Sequence, residues 1–467
     1  MRTPPMFGFL MLFALAGPAG AVAPDSEIRD ILATRVDRQH WATGIVVGLV
    51  TPQGARTIAY GTTSKGGSRK AGADTVYDIG SVTKVFTALA LADMAGRGEV
   101  ALDDPVAEYL PKGTRLPRDD ARQITLADLA THTAGLPLRP SNLAPKDPDN
   151  KYAGYDEGDL YEFLAHYKAP HPIGTTYDYS NPGFGLLGLA LARRAGTGYD
   201  TLIERRILKP LGMADTARRA TPSMLRRMAY GYSYDVASAD LVPARHWDFG
   251  SGVAGAGGYR STARDLMRLL RAMLGLRPSP LASAFAATIR IRRPGGMQPA
   301  TAIALAWNVL DRDGREIFWK NGSVGGFRAF VGCDPAARLG VVALANAQTG
   351  TGADDIGLHI LDPEIPVDLH IPRKHVETKI DPALLDRYAG TYKFADNDFV
   401  VVSREGGHLV ESENGQDPLA LFPEGDRDFF FKIVDAQVSF EIDADGKVAA
   451  AIWHQDGQDQ RGERIGR

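Results

Sequence analysis

Hydrophobic positions change their period along the chain, and the changes mark its organisation. After a helical opening from Ser26 to about Gln39, the run Gly44-Ile-Val-Val-Gly-Leu-Val50 reads as a buried strand. Thr51-Pro-Gln-Gly54 turns it into a second strand ending near Tyr60, which predicts a β-hairpin. From about Tyr77 to Leu274 the spacing becomes helical, and helices are expected over 82–95, 125–131, 157–167, 182–194 and 263–274 between Pro/Gly-rich connections. Strands are expected again over 303–310, 316–319, 328–333 and 340–346, followed by a helix over about 352–361. Strands from both ends around a helical block predict an α+β fold, with one antiparallel sheet flanked by terminal helices and an all-helical region inserted into the chain.

Residues 363–380 carry Pro363, Pro366 and Pro372, scattered charges and no glycine, which is the composition of a semi-rigid linker. Beyond it, short alternating segments over 398–403, 408–411, 429–433, 437–442 and 447–454 are divided by turns such as Glu405-Gly-Gly407 and Asp445-Gly446. They predict a small antiparallel β domain over 381–467, barrel-like because closure removes exposed strand edges. The main domain then spans 22–362.

Composition narrows the function. With 53 Lys and Arg against 56 Asp and Glu in 467 residues, the formal charge of -3 argues against a nucleic-acid binder. Hydrophobic residues at 44% and charged residues at 23% exclude intrinsic disorder. Past the N-terminus no apolar run approaches the roughly 20 residues of a membrane-spanning helix. A single cysteine, Cys333, excludes an internal disulfide and a C-x-x-C redox motif, and no H-E-x-x-H accompanies it, so neither metal nor cofactor is implied. Met1-Arg2, the apolar stretch Phe7 to Ala16 and the small residues Ala19-Gly20-Ala21 read as a signal peptide over 1–21. The mature protein is therefore expected to be exported, in a bacterium to the periplasm. Its oligomeric state leaves no mark on the sequence.

Three short motifs carry candidate chemistry. The first is Ser81-Val-Thr-Lys84, at the start of a segment apolar on nearly every face and so expected at the centre of the protein. Gly80 permits a tight entry, and Ser81 then sits at a helix N-terminus, where free N–H groups favour developing negative charge. Lys84 shares its face. In apolar surroundings a lysine loses its proton readily, and the neutral amine can activate the serine without a histidine. Taken alone, the same residues also read as a helix cap and a snorkelling lysine. The second motif, Tyr179-Ser180-Asn181, presents a phenol and an amide from one turn. A phenol facing lysines would have its anion favoured, so Tyr179 is a candidate proton shuttle and Asn181 a partner for Lys84 and the substrate. Alone it also reads as a paired tyrosine and an Asn cap. The third is Lys320-Asn321-Gly322-Ser323 on a strand: a glycine there lets the backbone approach a ligand, and the Ser323 N–H could join that of Ser81 as an oxyanion hole. His132 in Thr131-His-Thr133 is read as a hydrogen-bonded structural histidine, and the loop from Leu138 to Tyr155 as a candidate rim.

These three elements, in this order, resemble the serine β-lactamase and penicillin-binding protein superfamily, and Tyr-x-Asn is similar to its class C branch of β-lactamases, D,D-carboxypeptidases, D-aminopeptidases and esterases. Leu102-Asp-Asp-Pro105, Leu129-Ala-Thr-His-Thr-Ala-Gly-Leu-Pro137, Pro210-Leu-Gly-Met-Ala-Asp-Thr216 and Gly257-Gly-Tyr-Arg-Ser-Thr262 share in the resemblance, which covers about residues 26–361. It implies a β-lactamase/transpeptidase-like fold with Ser81 as acylated nucleophile, Lys84 as base and Tyr179 as acid/base. Asn181, Lys320, Asn321, Gly322 and Ser323 would bind a small peptide, ester or β-lactam substrate. Asn321 stands where β-lactamases of this branch carry threonine, which points away from potent β-lactam hydrolysis and towards a D,D-carboxypeptidase-like peptidase. An esterase, a weak β-lactamase and a non-hydrolytic penicillin-binding sensor are the alternatives. The C-terminal domain resembles lipocalin-like β domains and contributes no catalytic residue.

Overall fold

The computed structural model of the chain describes residues 23–118, 122–395, 398–413, 418–432, 435–455 and 458–466. The expected signal peptide over 1–21 lies outside the described residues. Among these, eight strands form one antiparallel sheet in the order Gly54–Gly61, Gly44–Thr51, Leu339–Ala345, Phe327–Asp334, Arg315–Val324, Asn308–Arg312, Ala302–Ile303 and Arg293–Pro294. The first hairpin thus pairs with strands contributed some 300 residues later, Ile45 opposite Ala345 and Val50 opposite Gly340.

Alternation along the strands divides the core. Ile45, Val47, Leu49, Ile317, Trp319, Val341 and Ala343 face Ile28 and Leu32 of the Asp25–Ala33 helix and Ile356 and Ile360 of the Asp354–Leu361 helix. Val46, Val50, Phe318, Val331, Val342 and Leu344 face the Ala263–Met273 helix, through Leu266 and Leu270, and the helical block beyond. In that block the Thr83–Gly96 helix is buried at every position from Thr83 to Met94, as its all-round apolar sequence requires.

Two segments depart from the pattern expected over 303–310 and 316–319. A turn from Ala304 to Trp307, with Ala306 at φ 64°, splits the first into two strands, because Leu305 and Ala306 donate instead to Thr288 and Ala130 of the helical block. The second extends from Arg315 to Val324 and so carries the third motif within the sheet.

The chain between Leu361 and Pro382 has no helix or strand, yet it is tied down. Buried Arg35 donates to the Gly352 and Asp368 carbonyls and pairs with Asp355 at 2.6 Å, and Gln39 donates to the Asp368 and His370 carbonyls. The C-terminal domain is a closed antiparallel barrel of eight strands, completed where Gly390–Ala395 pairs with Gln458–Gly466. Gly390–Ala395, Leu419–Pro423 and Gln458–Gly466 are strands the alternation did not reveal. Tyr392, Leu409, Leu421, Phe429, Phe431 and Phe440 fill the interior, and Tyr388 of the short Pro382–Tyr388 helix stacks on Phe440 at 4.3 Å.

Candidate active site

Ser81 lies in a 3-10 turn, Gly80–Val82, that runs into the buried Thr83–Gly96 helix. Gly80 has φ 47°, a conformation costly for any residue with a Cβ, and a Cβ there would also sit 3.2 Å from the Ser323 backbone nitrogen. On the facing strand, a Cβ on Gly322 would overlap the Ile79 carbonyl oxygen and lie 2.9 Å from the Ser81 nitrogen. Two glycines therefore let the Ser81 turn press against the strand edge. The N–H groups of Ser81 and Ser323 come from these two apposed backbones, and a helix's first N–H groups have no intrahelical acceptor.

Lys84 is fully buried one turn along the helix. Its Nζ lies 3.0 Å from Ser81 Oγ, 2.8 Å from Asn181 Oδ1 and 2.9 Å from the Ala256 carbonyl oxygen. Burial holds its pKa well below the usual lysine range, and the Lys320 charge adds to the shift. Three N–H donors of an ammonium match Ser81, Asn181 and Ala256, and once a proton is lost the two remaining N–H bonds hold Asn181 and Ala256 while the lone pair can accept the Ser81 hydroxyl.

Asn181 begins the Asn181–Arg194 helix, whose cap is Ser180 through a bond from the Gly183 N–H, so the expected Asn cap is one residue off. That shift frees the Asn181 amide: Oδ1 accepts from Lys84 and Nδ2 donates to Tyr152 Oη at 2.9 Å. Tyr179 stands between the lysines, with each Nζ 4.8 Å from its ring centroid. Burial nevertheless pushes its phenol above the usual tyrosine range, outweighing the opposing hydrogen bond with Ser81. The anion expected from facing lysines is therefore not favoured in the free site, because burial of the phenol outweighs their proximity. Tyr179 is a proton donor at rest.

Lys320 is 1% exposed, and burial lowers its pKa to about 8 against the opposing pull of Asp354. Asn321 is not brought to this cluster. Alternation turns it to the face that Trp319 shares, where Nδ2 donates to Asp354 Oδ2 at 2.6 Å. Ser323 is exposed at the strand's end. His132 is buried, its Nδ1 accepts from the Ser180 N–H at 3.0 Å, and its ring lies 4.4 Å from that of Tyr179. Burial above all holds its pKa well below the usual histidine range, and its Nδ1 contact and ring packing make it a structural support for the Tyr179–Asn181 turn.

Three contributors escaped the motif reading. Tyr152 sits in the loop read as a rim, and no pattern singles it out. The Ala256 carbonyl immediately precedes Gly257-Gly-Tyr-Arg-Ser-Thr262, and its backbone role has no side-chain signature. Asp354 opens the Asp354–Leu361 helix behind the strand. Tyr152→Phe leaves the Asn181 Nδ2–H without its acceptor, at a cost of about 1 to 3 kcal/mol. Acylation by a penicillin-type probe is therefore expected to slow on the order of tenfold, with the melting temperature falling by about a few degrees. An unaltered acylation rate would show that Asn181 holds its orientation without Tyr152.

The family model described as Beta-lactamase matches residues 28–362, and one described as "Domain of unknown function (DUF3471)" matches residues 374–464. The chain is 30% identical over 330 residues to the D-alanyl-D-alanine-carboxypeptidase/endopeptidase AmpH of Escherichia coli (strain K12), an alignment covering 68% of this chain and 82% of that protein. It is 26% identical to a beta-lactamase of Lysobacter lactamgenus, across 72% of this chain and 92% of the relative. Among solved structures, the beta-lactamase/D-alanine carboxypeptidase from Yersinia pestis complexed with citrate superimposes with a TM-score of 0.62 at 25% identity, covering 72% of this chain and 98% of that one. Family match, fold and the coverage of these relatives agree with the three apposed motifs: the chain belongs to the beta-lactamase family and is a serine hydrolase.

Proposed function

We propose that this hydrolase is a D,D-carboxypeptidase-like peptidase that cleaves D-amino-acid-containing peptides through an acyl-enzyme on Ser81. The observation that carries the reading is the buried Lys84 Nζ 3.0 Å from Ser81 Oγ, its pKa held down by burial, with Lys320 as a second buried lysine beside Tyr179. Ser81 Oγ attacks the scissile carbonyl as its proton passes to Lys84 Nζ. The oxyanion takes hydrogen bonds from the Ser81 and Ser323 N–H groups. Tyr179 gives its phenolic proton to the departing amine, and the Lys84 ammonium, lying over the tyrosine ring, returns a proton to the phenolate. Both groups are thereby reset for the incoming water, which loses a proton to the same pair as it attacks the ester, and that proton returns to Ser81 Oγ as the Oγ–acyl bond breaks and the carboxylic acid leaves. No net proton is consumed in the cycle.

Lys320 sets the substrate preference in this reading. Its ammonium, largely desolvated, attracts a free carboxylate beyond the leaving amine far more strongly than water would allow. With Asn321 engaged by Asp354, no hydroxyl reinforces it, so discrimination is expected at about 1 to 3 kcal/mol. Comparing kcat/KM for free-acid and amidated D-alanyl peptides, in the wild type and in Lys320→Ala, tests this. Equal rates for both substrates in the wild type would move the reading to an esterase. The pH dependence has a definite sign. Lys320 binds the carboxylate as a cation, so KM for the free acid should rise as pH climbs through about 8, while KM for the amide stays level.

Hydrolysis of β-lactams by the same residues is a second reading, favoured by the similarity to proteins named beta-lactamases. Intact-mass spectrometry after exposure to a penicillin separates the two: a long-lived acyl-enzyme marks the peptidase, and rapid return to the free mass marks the β-lactamase. Export to the periplasm, supported by the apolar Phe7 to Ala16 stretch, would place the enzyme with such peptides.

A further inference from the structure

Lys320 and Asn321 are neighbours on the Arg315–Val324 strand, so their side chains leave it on opposite faces. Lys320 lies over the Tyr179 ring on the side of the nucleophile. On the other side Asn321 Nδ2 donates to Asp354 Oδ2 at 2.6 Å, and Asp354 opens the Asp354–Leu361 helix. One strand therefore ties the buried lysine of the site to an acid behind the sheet.

On its own side of the sheet that acid is only partly neutralised. Arg328 stands opposite Ser323 in the strand pairing and so shares the face of Asn321. Its guanidinium is engaged by backbone: Nε donates to the Thr349 carbonyl at 2.8 Å, and Nη2 to the carbonyls of Thr349, at 2.7 Å, and Gly350. Nη1 comes no nearer to Asp354 Oδ2 than 3.5 Å, longer than a close charge-assisted hydrogen bond. Gly352, at φ 63°, packs on the same side chain, where a Cβ would lie 2.5 Å from Arg328 Cγ. The arginine is thus held by the 349–352 turn, and the neighbouring Asp355 is taken up by Arg35.

The titratable groups that face Lys320 are Lys84 of the nucleophile helix, His132 and Tyr179 of the helical block, and Asp354. Asp354 is the acid in this set. Burial lowers the Lys320 pKa to about 8, and Asp354 opposes the fall. Burial likewise raises the Asp354 carboxyl above its usual range, against the pull of Arg328, the Asn321 amide and Lys320. In surroundings this dry, attraction between the two groups reaches through the strand without a direct contact.

We infer that Asp354 is a positioning residue of the Ser81 site: through Asn321 it fixes which face the Lys320 strand turns to the substrate, and its charge supports the Lys320 ammonium that holds a substrate carboxylate. The role of the ammonium rests on the carboxypeptidase-like reading, and the coupling of the two charges does not.

Asp354→Asn tests the inference, because the amide keeps an acceptor for Asn321 Nδ2 and removes the charge. In the wild type the ratio of kcat/KM for free-acid over amidated D-alanyl peptide should fall as pH climbs through about 8. In the variant the fall should begin at lower pH, and at about pH 7.5 the ratio should stand about threefold or more below the wild-type value. A merely structural role would lower both rates together and leave the ratio and its pH dependence in place, and that outcome would overturn the inference. Should the variant fail to fold, the wild type carries a second readout. The carboxyl carbon resonance of Asp354, assigned with Asp354→Glu, should step near pH 8 as Lys320 loses its proton, and the step should vanish in Lys320→Ala. A resonance flat through that range, or a step that survives in Lys320→Ala, would overturn the coupling. If the wild type shows no free-acid preference at any pH, the carboxypeptidase-like reading fails, and the carboxyl titration alone decides whether Asp354 and Lys320 are coupled.

Discussion

Ser81→Ala is expected to abolish covalent labelling by penicillin-type and ester probes and to reduce peptide turnover by about a factor of a thousand or more. In the proposed mechanism the hydroxyl is the group that forms the bond to carbon, and Cys333 offers no substitute, because it is buried in the sheet and burial pushes its thiol far up. The variant should fold normally, because Ser81 packs no core and its hydroxyl bonds only within the site, to Lys84 and Tyr179. Intact-mass spectrometry reads the first expectation directly, and full labelling of the alanine variant would place the nucleophile elsewhere.

Lys84→Ala carries the second large effect, with a different signature. Acylation should slow by about two to four orders of magnitude, the range for loss of a positioned general base. The substitution also leaves Asn181 Oδ1 and the Ala256 carbonyl without their buried donor, so the melting temperature should fall as well. Lys84→Met fills more of the space and separates the two causes. If acylation in both variants stayed near the wild-type rate, the neutral-lysine scheme would be untenable. Tyr179→Phe should instead spare the labelling and slow turnover, since the phenol serves the leaving group and the water.

What the sequence determined by itself was whatever local pattern encodes. The first hairpin, the buried Thr83–Gly96 helix and the Ala263–Met273 helix follow from period and composition, and the three motifs were recognisable because nucleophile and base, or phenol and amide, lie within a few residues of one another. The barrel was only partly legible: the strands that close it, Gly390–Ala395 and Gln458–Gly466, are recognisable as strands through their pairing with each other, about 70 to 75 residues apart in the chain. Tertiary structure alone decided the state of the groups in the site. Whether Lys84 is an amine or an ammonium depends on burial contributed by distant segments, and the depressed Lys320 and neutral Tyr179 follow from the same enclosure. Tyr152, the Ala256 carbonyl and Asp354 enter through contacts of 29, 172 and 33 residues' separation, which no local pattern records. Asn321 shows the limit most plainly. Its neighbours in the chain mark it as part of a substrate strand, but the pleat turns its side chain to the opposite face, and only the folded sheet reveals that its partner is Asp354.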